Sequence, residues 1–180
     1  MIDRNRVTEL PEMIRVGIGV DPAVSTNPDS DETGIIAAGL GIDGNAYVLG
    51  DYSGVFSPLQ WAYRVLYAYN IHEADIVVAE VNNGGDLVES NICTVDSSIK
   101  VKKVHAARGK TTRAEPIVSL YEQDRVKHYK ILDTLETQMT TWKANTGEPS
   151  PDRVDASVWI LTELMNAALK EKKEFFVISA

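Results

Sequence analysis

The chain has 180 residues, 44% of them apolar and 24% charged, and a formal net charge of −8. This length and balance suit one globular domain with a real core, and no apolar stretch approaches the ~20 residues that span a bilayer. The single cysteine, Cys93, excludes an internal disulfide and a thiolate-rich metal site; with no secretory leader pattern at the start, an intracellular protein is expected.

Residues 1–14 have no clean hydrophobic period and read as a linker. The β-branched run IRVGIGV at 14–20 predicts a strand that ends in Asp21-Pro22. Strands at 33–42 and 45–53 follow, joined by the turn pair Asp43-Gly44. Short links between these three predict an antiparallel meander. The loop between the first two, residues 24–32, carries Asp29, Asp31 and Glu32 and reads as a mobile hairpin tip.

Ser57-Pro58-x-Gln60 is a helix start with a capping box. The helix should run to about Tyr69 with Leu59, Ala62, Tyr63 and Leu66 on its inner face. ADIVVAEV at 74–81 is a nearly continuous apolar run, the pattern of a central strand covered on both faces. A helix from Asp86 to about Cys93, a strand at 99–106 and a helix at about 112–125 come next. RVKHY suits a brief edge strand, and 133–143 a further helix. The last helix opens at Ser150-Pro151, and Val154, Val158, Leu161, Met165 and Ala168 form its buried stripe. Cys93, Trp61, Tyr63, Trp142 and Trp159 read as core. The order predicts an α/β fold: a mixed sheet flanked by helices.

Two acids end apolar strands, Asp21 and Glu80. Two more, Asp152 and Asp155, share a face in the first turns of the buried last helix. A carboxylate in apolar surroundings is costly unless paired or bound to a cation. If these four converge, a divalent metal is the simplest way to keep them ionised, and carboxylate ligands select Mg²⁺ or Mn²⁺. Each acid also has a plain structural role open to it: a turn start, an edge position, an ion pair or a helix N-terminus. The six basic residues Lys100, Lys102, Lys103, Arg108, Lys110 and Arg113 stand in a stretch without acids, so an acidic protein still carries a local site for a polyanion. Arg108, Lys110 and Arg113 surround Gly109 ahead of a predicted helix, a place suited to phosphate. His105 is a candidate to orient a phosphate or water, although a strand-end histidine is more often structural; Asn82, beside Glu80, is a candidate to support the carboxylates from behind or to contact DNA in a groove.

GVDPA…DETGI, AEVNNGGDLVES, HAARGKTTRAEP…LYEQDRV and SPDRVDASVW, in that order, resemble the C-terminal nuclease domain of the large terminase subunits of tailed bacteriophages and prophages, within the ribonuclease H-like superfamily. The resemblance spans roughly residues 15–165. It implies a ribonuclease H-like mixed sheet, an antiparallel meander followed by parallel strands, flanked by helices. It implies a metal-dependent endodeoxyribonuclease that cuts concatemeric double-stranded DNA during DNA packaging, using two divalent cations, Mg²⁺ or Mn²⁺. Asp21, Glu80 and Asp155 map onto the metal-binding acids, with Asp21 between the ions and Asp152 as an additional or alternative ligand. The domain division would be a linker at 1–14, the nuclease at 15–173 and an apolar tail at 174–180. No GxxxxGKS or GxxxxGKT sequence is present, so the ATPase motor of such a subunit is expected outside this chain. A small terminase subunit and a portal are the further partners implied, in the cytoplasm of the bacterial host. The alternatives are a Holliday-junction resolvase-like nuclease, a non-catalytic DNA-binding module of the same fold and, least compatible with an unrepeated chain of this length, an actin-like ATP-binding fold.

Overall fold

The computed structural model describes residues 1–22, 32–81, 85–105, 110–143 and 150–178, with backbone alone at 85–86, 110–111 and 170–178. Its strands are β1 (Arg6–Val7), β2 (Met13–Asp21), β3 (Gly34–Gly41), β4 (Ala46–Asp51), β5 (Ile76–Glu80), β6 (Val101–Val104) and β7 (Val126–Tyr129). Its helices are α1 (Pro58–Ile71), α2 (Gly85–Val95), α3 (Lys110–Glu122), α4 (Asp133–Thr141) and α5 (Asp152–Ile178). Among the described residues the strands form one seven-stranded sheet in the order β1-β7-β4-β3-β2-β5-β6.

The expected meander is present: β2 pairs antiparallel with β3, and β3 with β4. Beyond it, β5 joins β2 and β6 joins β5, both parallel. β2 therefore lies inside the sheet with partners on both sides. Strand alternation assigns its side chains to opposite layers. Val16, Ile18 and Val20 pack in one core with Trp61, Ala62 and Val65 of α1. The opposite layer is the second core, where Ile36, Ala38, Val48 and Val78 meet Ala156, Ile160 and Leu164 of α5.

On the α5 side, β2 presents glycine. A Cβ at Gly19 would lie 2.2 Å from the Ala156 carbonyl oxygen, and one at Gly34 only 2.1 Å from that of Asp152. No side chain fits there, so the first turns of α5 rest directly on the backbone of β2 and β3.

Several expectations need correction. The capping box at Ser57 and Gln60 is present, but α1 buries Trp61, Ala62, Val65 and Ala68, while Leu59 and Tyr63 are exposed. Cys93 is exposed rather than core, although its neighbour Ile92 is buried. Residues 6–7, within the segment read as a linker, form β1 alongside β7, so β7 is not the sheet edge. The backbone of α5 continues through Ile178, so most of the apolar tail prolongs the last helix.

The outer strand is held by side chains. Arg6 donates to both oxygens of Glu136 at 2.8 Å and to the Lys130 carbonyl at 2.7 Å. Glu136 also meets His128 Nδ1 at 3.0 Å, and the Tyr121 hydroxyl lies 2.7 Å from His128 Nε2. Hydrogen bonding to Arg6 holds the Glu136 carboxyl down at about 2, whereas burial lowers the pKa of His128. Neutral His128 with its proton on Nδ1 satisfies the set: it donates to the carboxylate and accepts from the tyrosine.

Candidate metal and nucleic-acid site

Asp21 is the last residue of β2, and Glu80 the last of β5. The parallel register pairs Val20 with Ala79, so the two acids are consecutive neighbours at the same end of the sheet. Asp21 has the parity of Gly17 and Gly19, which face α5; Glu80 has the parity of Ile76 and Val78, which pack in the α5 core. Both carboxylates therefore project toward the start of α5. They are buried, Asp21 with 8% of its surface exposed and Glu80 with 4%.

Asp155 stands in the first turn of α5 and is 3% exposed. The glycine contacts at Gly19 and Gly34 fix that turn against β2 and β3, on the side from which Asp21 and Glu80 project. Ser150, expected as the helix cap, donates its hydroxyl to Asp155 Oδ2 at 2.5 Å. Asp152 opens the helix, half-buried, one turn before Asp155.

Arg113, from α3, ties two of the acids together. Its Nη1 lies 3.3 Å from Glu80 Oε2 and its Nη2 lies 3.9 Å from Asp155 Oδ1. The guanidinium sits over the Trp159 ring at 4.4 Å, and the Trp159 indole N–H donates to the same Glu80 oxygen at 2.6 Å. Expected only as core, Trp159 is thus also a hydrogen-bond partner of a candidate ligand. Its place four residues after Asp155, on the same helical face, was the available signal.

Beside the acids, Arg153 is buried between β4 and the base of the β2–β3 connection. It pairs with Glu32 and, through Nε at 2.9 Å, with Asp51. Burial opposes its charge, but the two carboxylates outweigh that and raise its pKa. Glu32 also accepts from Gln138 of α4 at 3.3 Å. Glu32, expected in a mobile tip, is therefore anchored on two sides.

The basic segment divides. Lys102 and Lys103 pair with Glu163 and Glu89, both at an N–O distance below 3 Å. Arg113 is part of the acidic site. Lys110 opens α3, and His105 is exposed just after β6. Arg108, Asn82, Asp29 and Asp31 lie outside the described residues.

Among the described residues, no three His, Cys, Asp or Glu side chains stand close enough together to hold a metal ion as placed. The donor chemistry nevertheless fits a hard divalent cation: buried carboxylates from two adjacent strand ends and a helix start, with a monovalent cationic side chain reaching two of them. Two Arg113 nitrogens, Nε and Nη2, are buried and lack a hydrogen-bond partner among the described residues.

Comparison with known proteins agrees with this architecture. The family described as the terminase RNaseH-like domain matches residues 18–164. The chain belongs to that family. Among solved structures, it is similar to the nuclease domain of the P22 large terminase, with a TM-score of 0.66 at 11% identity over 93% of this chain and 94% of that one. A mutant nuclease domain from the large terminase subunit of bacterial virus Sf6, solved with manganese and β-thujaplicinol, gives a TM-score of 0.59 at 15% identity over 83% and 88%. The yeast mitochondrial Holliday junction resolvase gives 0.57 at 10% identity over 93% and 85%. No curated protein sequence matches. The fold is the ribonuclease H-like mixed α/β sheet.

Proposed function

We propose that this chain is the nuclease domain of a viral DNA-packaging terminase and hydrolyses phosphodiester bonds of double-stranded DNA with two divalent cations, Mg²⁺ or Mn²⁺. The observation that carries this reading is the placement of Asp21 and Glu80 one residue beyond the Val20–Ala79 pair, at adjacent strand ends, facing the helix turn that bears Asp155. Asp21, between two strands and under α5, would hold the position shared by both ions. Glu80 and Asp155 would flank it, with Asp152 as a further ligand. Held there, divalent ions would supply the chemistry of water activation and of stabilising the leaving 3′-oxygen.

The chain's own groups do the rest. Trp159 and Ser150 each donate to a ligand carboxylate and fix its orientation. Lys110, with Arg108 and Arg113, would seat the DNA backbone without reading sequence. The motor, small subunit, portal and host cytoplasm belong to this same proposal; the family match and the P22 terminase likeness support its terminase part.

Nicking of supercoiled plasmid in Mn²⁺ tests it. Wild-type protein should nick and then linearise the plasmid, EDTA should stop it, and Asp21→Ala should fall to background with an unchanged far-ultraviolet dichroism spectrum. Undiminished cutting by Asp21→Ala would overturn the assignment. Strong preference for a four-way junction over linear duplex would replace it with the resolvase reading.

A further inference from the structure

The Arg113 contacts go beyond a DNA-seating role. The guanidinium is nine-tenths buried and lies between Glu80 and Asp155. It is held loosely for so buried a charge. One contact is at 3.3 Å and another at 3.9 Å, Nε and Nη2 have no hydrogen-bond partner among the described residues, and the Trp159 ring lies against the guanidinium. A permanent structural arginine commonly forms a bidentate fork with its carboxylate, as Arg6 does with Glu136 in this chain. Arg113 has charge compensation without that fit.

We infer that Arg113 is an internal counter-cation that a divalent ion must displace from Glu80 and Asp155 to bind. This rests on the metal-site reading above and adds a regulatory element to it. Before metal arrives, Arg113 neutralises two buried carboxylates that would otherwise repel each other. An incoming ion competes for the same oxygens and is opposed by the arginine's charge. The exchange sets a threshold in metal concentration. The released guanidinium, with its donors unspent, is then available to a phosphate oxygen on the DNA.

Mn²⁺ binding to the full 180-residue chain, measured by calorimetry at pH 8 without DNA, is the test. Arg113→Met keeps much of the packing against Trp159 and removes the charge. It should bind Mn²⁺ about tenfold more tightly than wild type, the scale on which neighbours of metal ligands act. It should also melt lower in EDTA and gain more in Tm on Mn²⁺ addition. Equal or weaker Mn²⁺ binding by Arg113→Met overturns the inference while leaving the metal site standing. If neither protein binds Mn²⁺, the metal-site reading fails and takes this inference with it.

A second measurement needs no charge-removing variant. Diamagnetic Mg²⁺ titrated into wild-type protein should produce a saturable change in tryptophan fluorescence, lost in Trp159→Phe, because the guanidinium leaves the indole face. Saturable Mg²⁺ binding by calorimetry with an unchanged Trp159 signal means that Arg113 has not moved, and overturns the inference even if Arg113→Met does not fold.

Discussion

The place of Asp21 and Glu80 at strand ends was readable from sequence because each closes an apolar run. Their neighbours were not. Arg113 reaches Glu80 from 33 residues away, and only the α3–α5 packing shows that one member of a basic stretch serves the acids. Tyr63 shows a different limit: α1 is apolar on most sides, so two overlapping helical stripes fit the sequence equally well, and the buried one contains Trp61 and Val65 instead. At this scale Trp159→Phe is informative, since it keeps an aromatic side chain, though a smaller one, and deletes the N–H that holds Glu80 at 2.6 Å. Mn²⁺ affinity should fall about 10- to 100-fold, the scale on which groups orienting a metal ligand act, with a loss of Tm from the smaller buried ring that is the same with and without metal. Calorimetry beside a thermal melt would check both halves.

At the scale of elements, the order of strands and helices was legible because hydrophobic period changes cleanly between them. The meander and the βα units follow from link lengths. The seam between α5 and the central strands was not foreseen, although Gly17, Gly19 and Gly34 were its sequence trace: glycine at alternate strand positions implies a close backbone approach on that face. Gly34→Ala should push the first turn of α5 off β3, because the added methyl meets a carbonyl and its carbon rather than a pliable side chain. A loss of about 1–3 kcal/mol is expected, or several degrees in Tm for a domain of this size. Nuclease activity should fall further than the stability loss explains, since Asp152 and Asp155 move with that turn. Arg153 holds the base of the β2–β3 connection against the same turn through Glu32 and Asp51. Arg153→Met should destabilise the domain by about 3–5 kcal/mol by leaving carboxylates without their buried partner, measured by urea unfolding.

For the molecule as a whole, the single-domain reading and fold class follow from length, patterning and the four resembling sequence blocks. The N-terminal strand was missed because two residues carry no periodic signal. It is held by backbone pairing with β7 and by side chains distant in sequence, among them Arg6 on Glu136. This network predicts an acid response. His128 and Glu136 both have folded pKa values below their ordinary values of 6.5 and 4.5. The unfolded chain therefore binds more protons than the folded one as pH falls below those values, and stability falls with it. Tm should begin to decline below about pH 6.5, fall further from 4.5 toward 2, and do so less steeply in His128→Gln. Melts at closely spaced pH values in constant ionic strength would show it; parallel curves for the two proteins would remove His128 from the account.

The bare contacts under α5 would also limit how the acids adapt to the ions proposed for this site. Where Gly19 and Gly34 meet the Ala156 and Asp152 carbonyls, no side chain of the strands intervenes, so no rotamer is available at those two points to let the backbones drift apart or close in. The depth of the carboxylate nest is set by hard-shell contact between main chains, as a stone arch is set by its abutments. Accommodation to ions of different radius, if bound as proposed, would then fall to the torsion angles of a few acidic side chains.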